Sequence, residues 1–228
     1  MIFGVLFLSV QAGAQPNNPY HLPLTTTKKE LSLQAKSQPS LQMVPLDNYI
    51  KGLRSDIRYA TPNNFTGKVL YKTKGLYMRK IAAEKMVLVA DSLRKMGLGI
   101  LVYDAYRPYA ATLAMWQIVP DDRYAANPAN GSGHNRGIAI DLTLCELQSG
   151  EILPMPTGYD NFSDTAHHSF LKLDKTVLQN RAILKGTMEH FGFVALETEW
   201  WHYALPNAKS YPLMDIPFDK LGKWLKEK

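Results

Sequence analysis

Across residues 77–96 the apolar residues Met78, Ile81, Ala82, Met86, Val89, Leu93 and Met96 recur every three or four positions, the period of an amphipathic helix. Gly97 is placed to stop that helix. Directly after it the pattern changes, and ILVY at residues 100–103 reads as a short buried strand. A chain that switches period within a few residues must pack helix and sheet around one core.

The rest of the chain continues the alternation. DAYRP ends the first strand, and Pro108 suits the first turn of a helix reaching about residue 119. Ile138, Ile140 and Leu142 alternate with Ala139, Asp141 and Thr143, as a strand would. A helix over 175–191 is predicted, capped by Asp174 and stopped by Gly192. Strand-like pieces at 193–196 and 199–205 follow it. In RSDIRYATPNNFTGKVL the PNN and TG turn signals imply short extended pieces instead of a helix. Without repeats, this order predicts a compact α+β domain and not a regular βαβ array.

Length and composition set the remaining bounds. At 228 residues and 46% hydrophobic, the chain can bury one sizeable core. Its single cysteine, Cys145, excludes an internal disulfide and reads as a buried structural thiol. The net charge of +6 comes from scattered lysines and arginines without basic runs, so no nucleic-acid partner is predicted. The apolar start and the small residues of QAGAQ make residues 1–14 a candidate signal peptide for export to the periplasm or cell envelope, although no basic residue precedes Lys28. Residues 15–45, rich in Pro, Thr, Ser, Gln and Asn, read as an arm or linker, and 46–228 as the domain proper. No later stretch approaches about 20 consecutive apolar residues, so no integral membrane segment is expected.

Six histidines are available, and His134 stands seven residues ahead of Asp141 in SGHNRGIAIDLTL. With His134 on the turn entering a strand and Asp141 on that strand, the two side chains can converge at one end of a sheet. Imidazole and carboxylate are both zinc ligands, and a third is needed. The best candidate is His202 in EWWHY, because Glu199 lies three residues before it and a zinc hydrolase needs a carboxylate that is not itself a ligand. A flat strand would point Glu199 and His202 to opposite faces, so a bulge, a strong twist or a strand end is required there. His167 and His168 are rival ligands, though an adjacent pair in a polar loop is expected to face solvent. Arg107 in DAYRP is a candidate cation for a negatively charged intermediate, with a structural bridge to Asp104 as the alternative.

YDAYRP, SGHNRGIAIDLTL and EWWHY, in that order, closely resemble the signature segments of the D-alanyl-D-alanine dipeptidases. These are zinc metallopeptidases related to D,D-carboxypeptidases and to the Hedgehog fold. DIRYATPNNFTGK, ELQSGEILPMPTGYDNFSD with the HH pair, and MEHFGF also look like that family, so the likeness spans most of residues 46–206. The resemblance implies a central, mostly antiparallel sheet flanked by helices. It implies one zinc ion held by His134, Asp141 and His202, with Glu199 as general base and later acid and Arg107 stabilising the transition state. It further implies that Tyr59, Ser132 and Asp160 line a pocket for a small D,D-dipeptide, with Asp160 facing the free amino group. GYDNFSD is a variant around Asp160. A carboxypeptidase trimming peptidoglycan stems, and a zinc-bearing module without turnover, are the alternatives on the same fold.

Overall fold

The structure, a computed structural model, describes residues 18–123 and 125–227. The candidate signal peptide lies outside the described residues. In chain order the elements are β1 (Leu24–Thr25), α1 (Lys28–Ser37), β2 (Met43–Pro45), β3 (Arg54–Ser55), β4 (Tyr77–Arg79), α2 (Lys80–Arg94), β5 (Leu98–Asp104) and α3 (Tyr109–Ile118). They continue with β6 (Ala139–Glu146), α4 (Lys175–His190), β7 (Val194–Leu196), β8 (Glu199–Ala204), β9 (Leu213–Met214) and α5 (Phe218–Lys226).

The main sheet has the order β3-β5-β6-β8-β7. Its pairs are antiparallel except β3 with β5, as the family resemblance implies. β6 is the middle strand, and every residue from Ala139 to Cys145 is buried. α2 packs on β5 and α4 on β6 and β8, with the two helices also touching each other. α2 follows from its sequence: Ala82, Met86, Val89 and Leu93 are fully buried along one stripe. The predicted helix differs at both ends. Its first residues form β4, paired with β2, and Met96 lies past the end of α2, half-exposed. Gly97, with φ +75°, supplies the left-handed turn that L side chains avoid.

Pro108 and Asp174 occupy the N-cap positions of α3 and α4, and the Asp174 side chain makes no capping bond. Of the short extended pieces predicted across 54–70, β3 forms at its start, and the rest is a 3-10 turn, Arg58–Ala60, and loops.

The clearest difference is in the stretch expected to be an arm or linker. From Leu24 onward it is built into the domain: β1 pairs with β9 and β2 with β4. α1 begins with a capping box in which the Thr27 hydroxyl accepts from the Glu30 amide and the Glu30 carboxylate accepts from the Thr27 amide. Arg79 locks this stretch down. Fully buried, it donates to the carbonyls of Leu41, Arg136 and Pro212 and to the Gln34 side chain. The polar composition concealed this because α1 buries only Leu31 and its anchoring is mainly hydrogen bonding.

No helix among the described residues is long and apolar enough to cross a membrane. Cys145 is buried and free, as expected.

Candidate active site

The sheet assembles the site along one row. Asp104 on β5 is the register partner of Asp141 on β6, and Asp141 is the partner of His202 on β8. Register partners on neighbouring strands project to the same face, so three residues far apart in sequence stand side by side. His134 reaches the row from the turn before β6. That turn is closed by paired bonds in which the Ser132 amide donates to the Asn135 side chain and the Asn135 amide donates to the Ser132 hydroxyl. Two glycines permit it. At Gly133 a Cβ would lie 2.9 Å from that of Ala139, and Gly137 has φ +71° with Met43 and Arg79 packed against it. The Arg107 amide donates to the His134 carbonyl and the Asn135 amide group donates to the Arg107 carbonyl, which ties the turn to DAYRP.

Three donor atoms converge there. His202 Nδ1 is 2.9 Å from Asp141 Oδ1, His134 Nε2 is 3.3 Å from the same oxygen, and the two ring nitrogens are 3.2 Å apart. A tetrahedral zinc ion with bonds of about 2.0–2.1 Å needs donor atoms about 3.3 Å apart. The triangle therefore fits the ion. The other ring nitrogen of His134 donates to the Ala105 carbonyl at 2.6 Å, which selects the tautomer that leaves Nε2 as a free acceptor. Burial opposes the charge on Asp141, yet the two imidazoles outweigh it and hold this carboxyl well below the usual carboxylate range. Such an ionised, imidazole-flanked oxygen suits a cation.

Glu199 lies beside the triangle, its Oε2 3.9 Å from His202 Nδ1. The geometric objection raised by the sequence is answered by an irregularity. Ala195 pairs with Tyr203, but the next residue, Leu196, pairs with Glu199. β8 thus accommodates extra residues at the hairpin end, and Glu199 and His202 come to one side. Burial pushes the Glu199 carboxyl up to about 7, against the pull of His202. Arg107 is buried and donates from Nε to Asp104 at 2.9 Å, and its guanidinium lies 4.9 Å from the centre of the Tyr59 ring. The structural bridge to Asp104 and a place in the site therefore coexist in one residue. The Tyr59 hydroxyl donates to Asp160 Oδ1 at 3.0 Å. Burial, helped by the nearby Asp141 charge, raises the Asp160 carboxyl to about 7. All eight residues that the resemblance places at the site line one cavity of about 250 Å³.

A family model described as D-ala-D-ala dipeptidase, of peptidase family M15, matches residues 39–220. The chain belongs to this dipeptidase family. The D-alanyl-D-alanine dipeptidase of Escherichia coli (strain K12) is 36% identical over 78% of this chain and 91% of its own length. That of Enterococcus faecium is 33% identical over 75% of this chain and 96% of its own. Among solved structures, the LdcB LD-carboxypeptidase overlaps 59% of this chain and 63% of that chain at 17% identity, with a TM-score of 0.39.

This member of the dipeptidase family has site residues that the sequence did not single out. Asp122, Ala125, Phe162, Leu196 and Trp201 also line the cavity. Tyr71 donates to Asp104 at 3.0 Å, and Tyr159 donates to Asp141 Oδ2 at 2.9 Å. Only the position of Tyr159 beside Asp160 hinted at a role. His168 is a correction: it is buried, not solvent-facing, and neither ring nitrogen has a hydrogen-bond partner. Its amide and that of Ser169 donate to Glu197 at the β7–β8 turn, and His168 is not one of the three converging donors.

Proposed function

We propose that this chain is a zinc-dependent dipeptidase that hydrolyses D-alanyl-D-alanine, or a similar D,D-dipeptide with a free amino terminus, in the turnover or recovery of cell-wall material outside the cytoplasm. The observation that carries the reading is the triangle of His134, Asp141 and His202 donor atoms with the Glu199 carboxyl 3.9 Å from one corner. Members of the family with this activity by name support the substrate class.

His134 Nε2, Asp141 Oδ1 and His202 Nδ1 would hold the ion. Zinc, when bound, supplies Lewis acidity and a nucleophile available at neutral pH. Glu199 accepts the proton of the attacking water and returns it to the leaving amine, a pairing that works best when the carboxyl's pKa lies near the operating pH. Arg107 keeps its charge because Asp104 faces it in a buried site, and that charge offsets the negative charge developing on the carbonyl oxygen. Asp160 accepts the substrate's ammonium, with Tyr59 holding one of its oxygens in place. An acylated amino end has no cation to offer, which leaves a buried carboxylate uncompensated and disfavours longer peptides. The cavity of about 250 Å³ lies below the range of roughly 300–1,000 Å³ typical of sites for drug-sized ligands. Ser132 lines it on the His134 side and closes the turn that presents that imidazole.

The test is D-alanine release from D-Ala-D-Ala and from an N-acylated pentapeptide, with and without a chelator, read beside zinc content per chain. The expected result is one zinc per chain, chelator-sensitive release from the free dipeptide and little from the pentapeptide. Preference for the pentapeptide would make the protein a carboxypeptidase. Zinc without turnover of either would make it a binding module.

A further inference from the structure

Tyr159 sits in the GYDNFSD variant, directly before Asp160. In extended chain, successive side chains point to opposite sides. Here Asp160 has φ +61°, uncommon for a residue with a Cβ, and the two adjacent side chains reach the same hydroxyl. Tyr59 O is 3.2 Å from the Tyr159 hydroxyl and 3.0 Å from Asp160 Oδ1. The Tyr159 hydroxyl is also 2.9 Å from Asp141 Oδ2.

Proton counting orders this chain of four groups. Each tyrosine has one O–H, and an ionised carboxylate only accepts. Tyr159 therefore donates to Asp141 and Tyr59 to Asp160, so each hydroxyl fixes one carboxylate and no proton is left for a bond between the two phenol oxygens. With Oδ2 taken, Asp141 has one oxygen, Oδ1, left to face His134 and His202. The nearest other cation, Arg107 Nη2, is 3.9 Å from Oδ2, beyond hydrogen-bond reach. The Tyr159 ring is itself held, stacked on Tyr103 with centroids 4.5 Å apart and edge-on to Trp201 at 5.5 Å.

We propose that Tyr159 is a positioning residue that fixes Asp141 as a one-oxygen metal ligand. This rests on the zinc dipeptidase reading. The ring's packing makes Tyr159→Phe a clean perturbation, since it deletes one oxygen and leaves the stacked ring in place. Removal of a partner that orients a metal ligand typically costs 10–100-fold in metal affinity or activity.

The experiment measures zinc affinity of wild type, Tyr159→Phe and Tyr59→Phe by competition with a chromophoric chelator. The thermal midpoint of each zinc-free protein and the KM for D-Ala-D-Ala at saturating zinc are read beside it. Tyr159→Phe is expected to bind zinc about 10–100-fold more weakly with an unchanged zinc-free midpoint, and to keep a near wild-type KM once zinc saturates. Tyr59→Phe, which does not touch Asp141, is expected to raise KM and keep wild-type zinc affinity. Wild-type zinc affinity in Tyr159→Phe overturns the proposal, as does an equal zinc loss in both variants. A wild-type protein that binds zinc but leaves the dipeptide intact refutes the substrate reading, and the zinc comparison still decides the role of Tyr159.

Discussion

Replacing Glu199 by Gln tests the assignment of the base most directly, because the structure separates its role from those of its neighbours. Glu199 supplies no corner of the donor triangle, and its nearest approach to that triangle is the 3.9 Å contact with His202 Nδ1. The amide keeps the shape of the carboxyl, so the β7–β8 hairpin and the three ligands should persist. What disappears is the ability to accept a proton. Loss of a positioned acid/base lowers turnover by about 10²–10⁴-fold, which is about 3–5 kcal/mol of barrier. Burial, against the pull of His202, places the Glu199 carboxyl at about 7. A divalent cation alongside favours the ionised form and lowers it further. A base must be ionised, so wild-type kcat/KM should fall as pH drops through a limb below 7, and the Gln variant should lack that limb. The assay is D-alanine release across pH 5–9, with zinc content measured on the same samples. A variant that retains zinc and turns over within a few-fold of wild type would remove Glu199 from the mechanism. A variant that loses zinc would show that Glu199 serves the ion instead.

Two further outcomes follow from buried titratable groups. Asp160→Asn keeps the hydrogen bond from Tyr59 but removes the charge opposite the ammonium, so KM for D-Ala-D-Ala should rise about tenfold or more while an N-acetylated dipeptide stays equally poor; equal loss on both substrates, measured by steady-state kinetics, would contradict ammonium recognition. His168 is buried without partners, and desolvation lowers its pKa from 6.5 to about 4. The unfolded chain therefore binds this proton first, and the contribution to stability is present above about pH 6.5 and lost as pH falls toward 4. Urea midpoints at pH 7.5 and 5 should differ more for wild type than for His168→Phe; an identical difference would exclude His168 as the cause.

Much of this protein was legible from local pattern. The stripe from Ala82 to Leu93 dictated α2, and the alternation around Ile140 dictated β6, because side-chain period follows from backbone geometry and needs no knowledge of partners. The Thr27–Glu30 capping box was equally local and was hidden by the polar composition around it. The ordered motifs carried the family, and with it the expectation that His134, Asp141 and His202 meet.

Other features depended on pairing across the chain, which no local period encodes. The irregular β7–β8 pairing that turns Glu199 and His202 to one side belongs to the register between strands. The bonds from Tyr159 to Asp141 and from Tyr59 to Asp160 span 18 and 101 positions. Arg79 joins carbonyls as distant as Leu41 and Pro212. Sequence determined the body of α2 and the strand β6, and which side chains had the chemistry to bind a metal. Tertiary structure decided which oxygen of Asp141 faces the site and whether residues 24–45 belong to the domain, because hydrogen bonds act only at about 3 Å and that distance is set by the packed sheet.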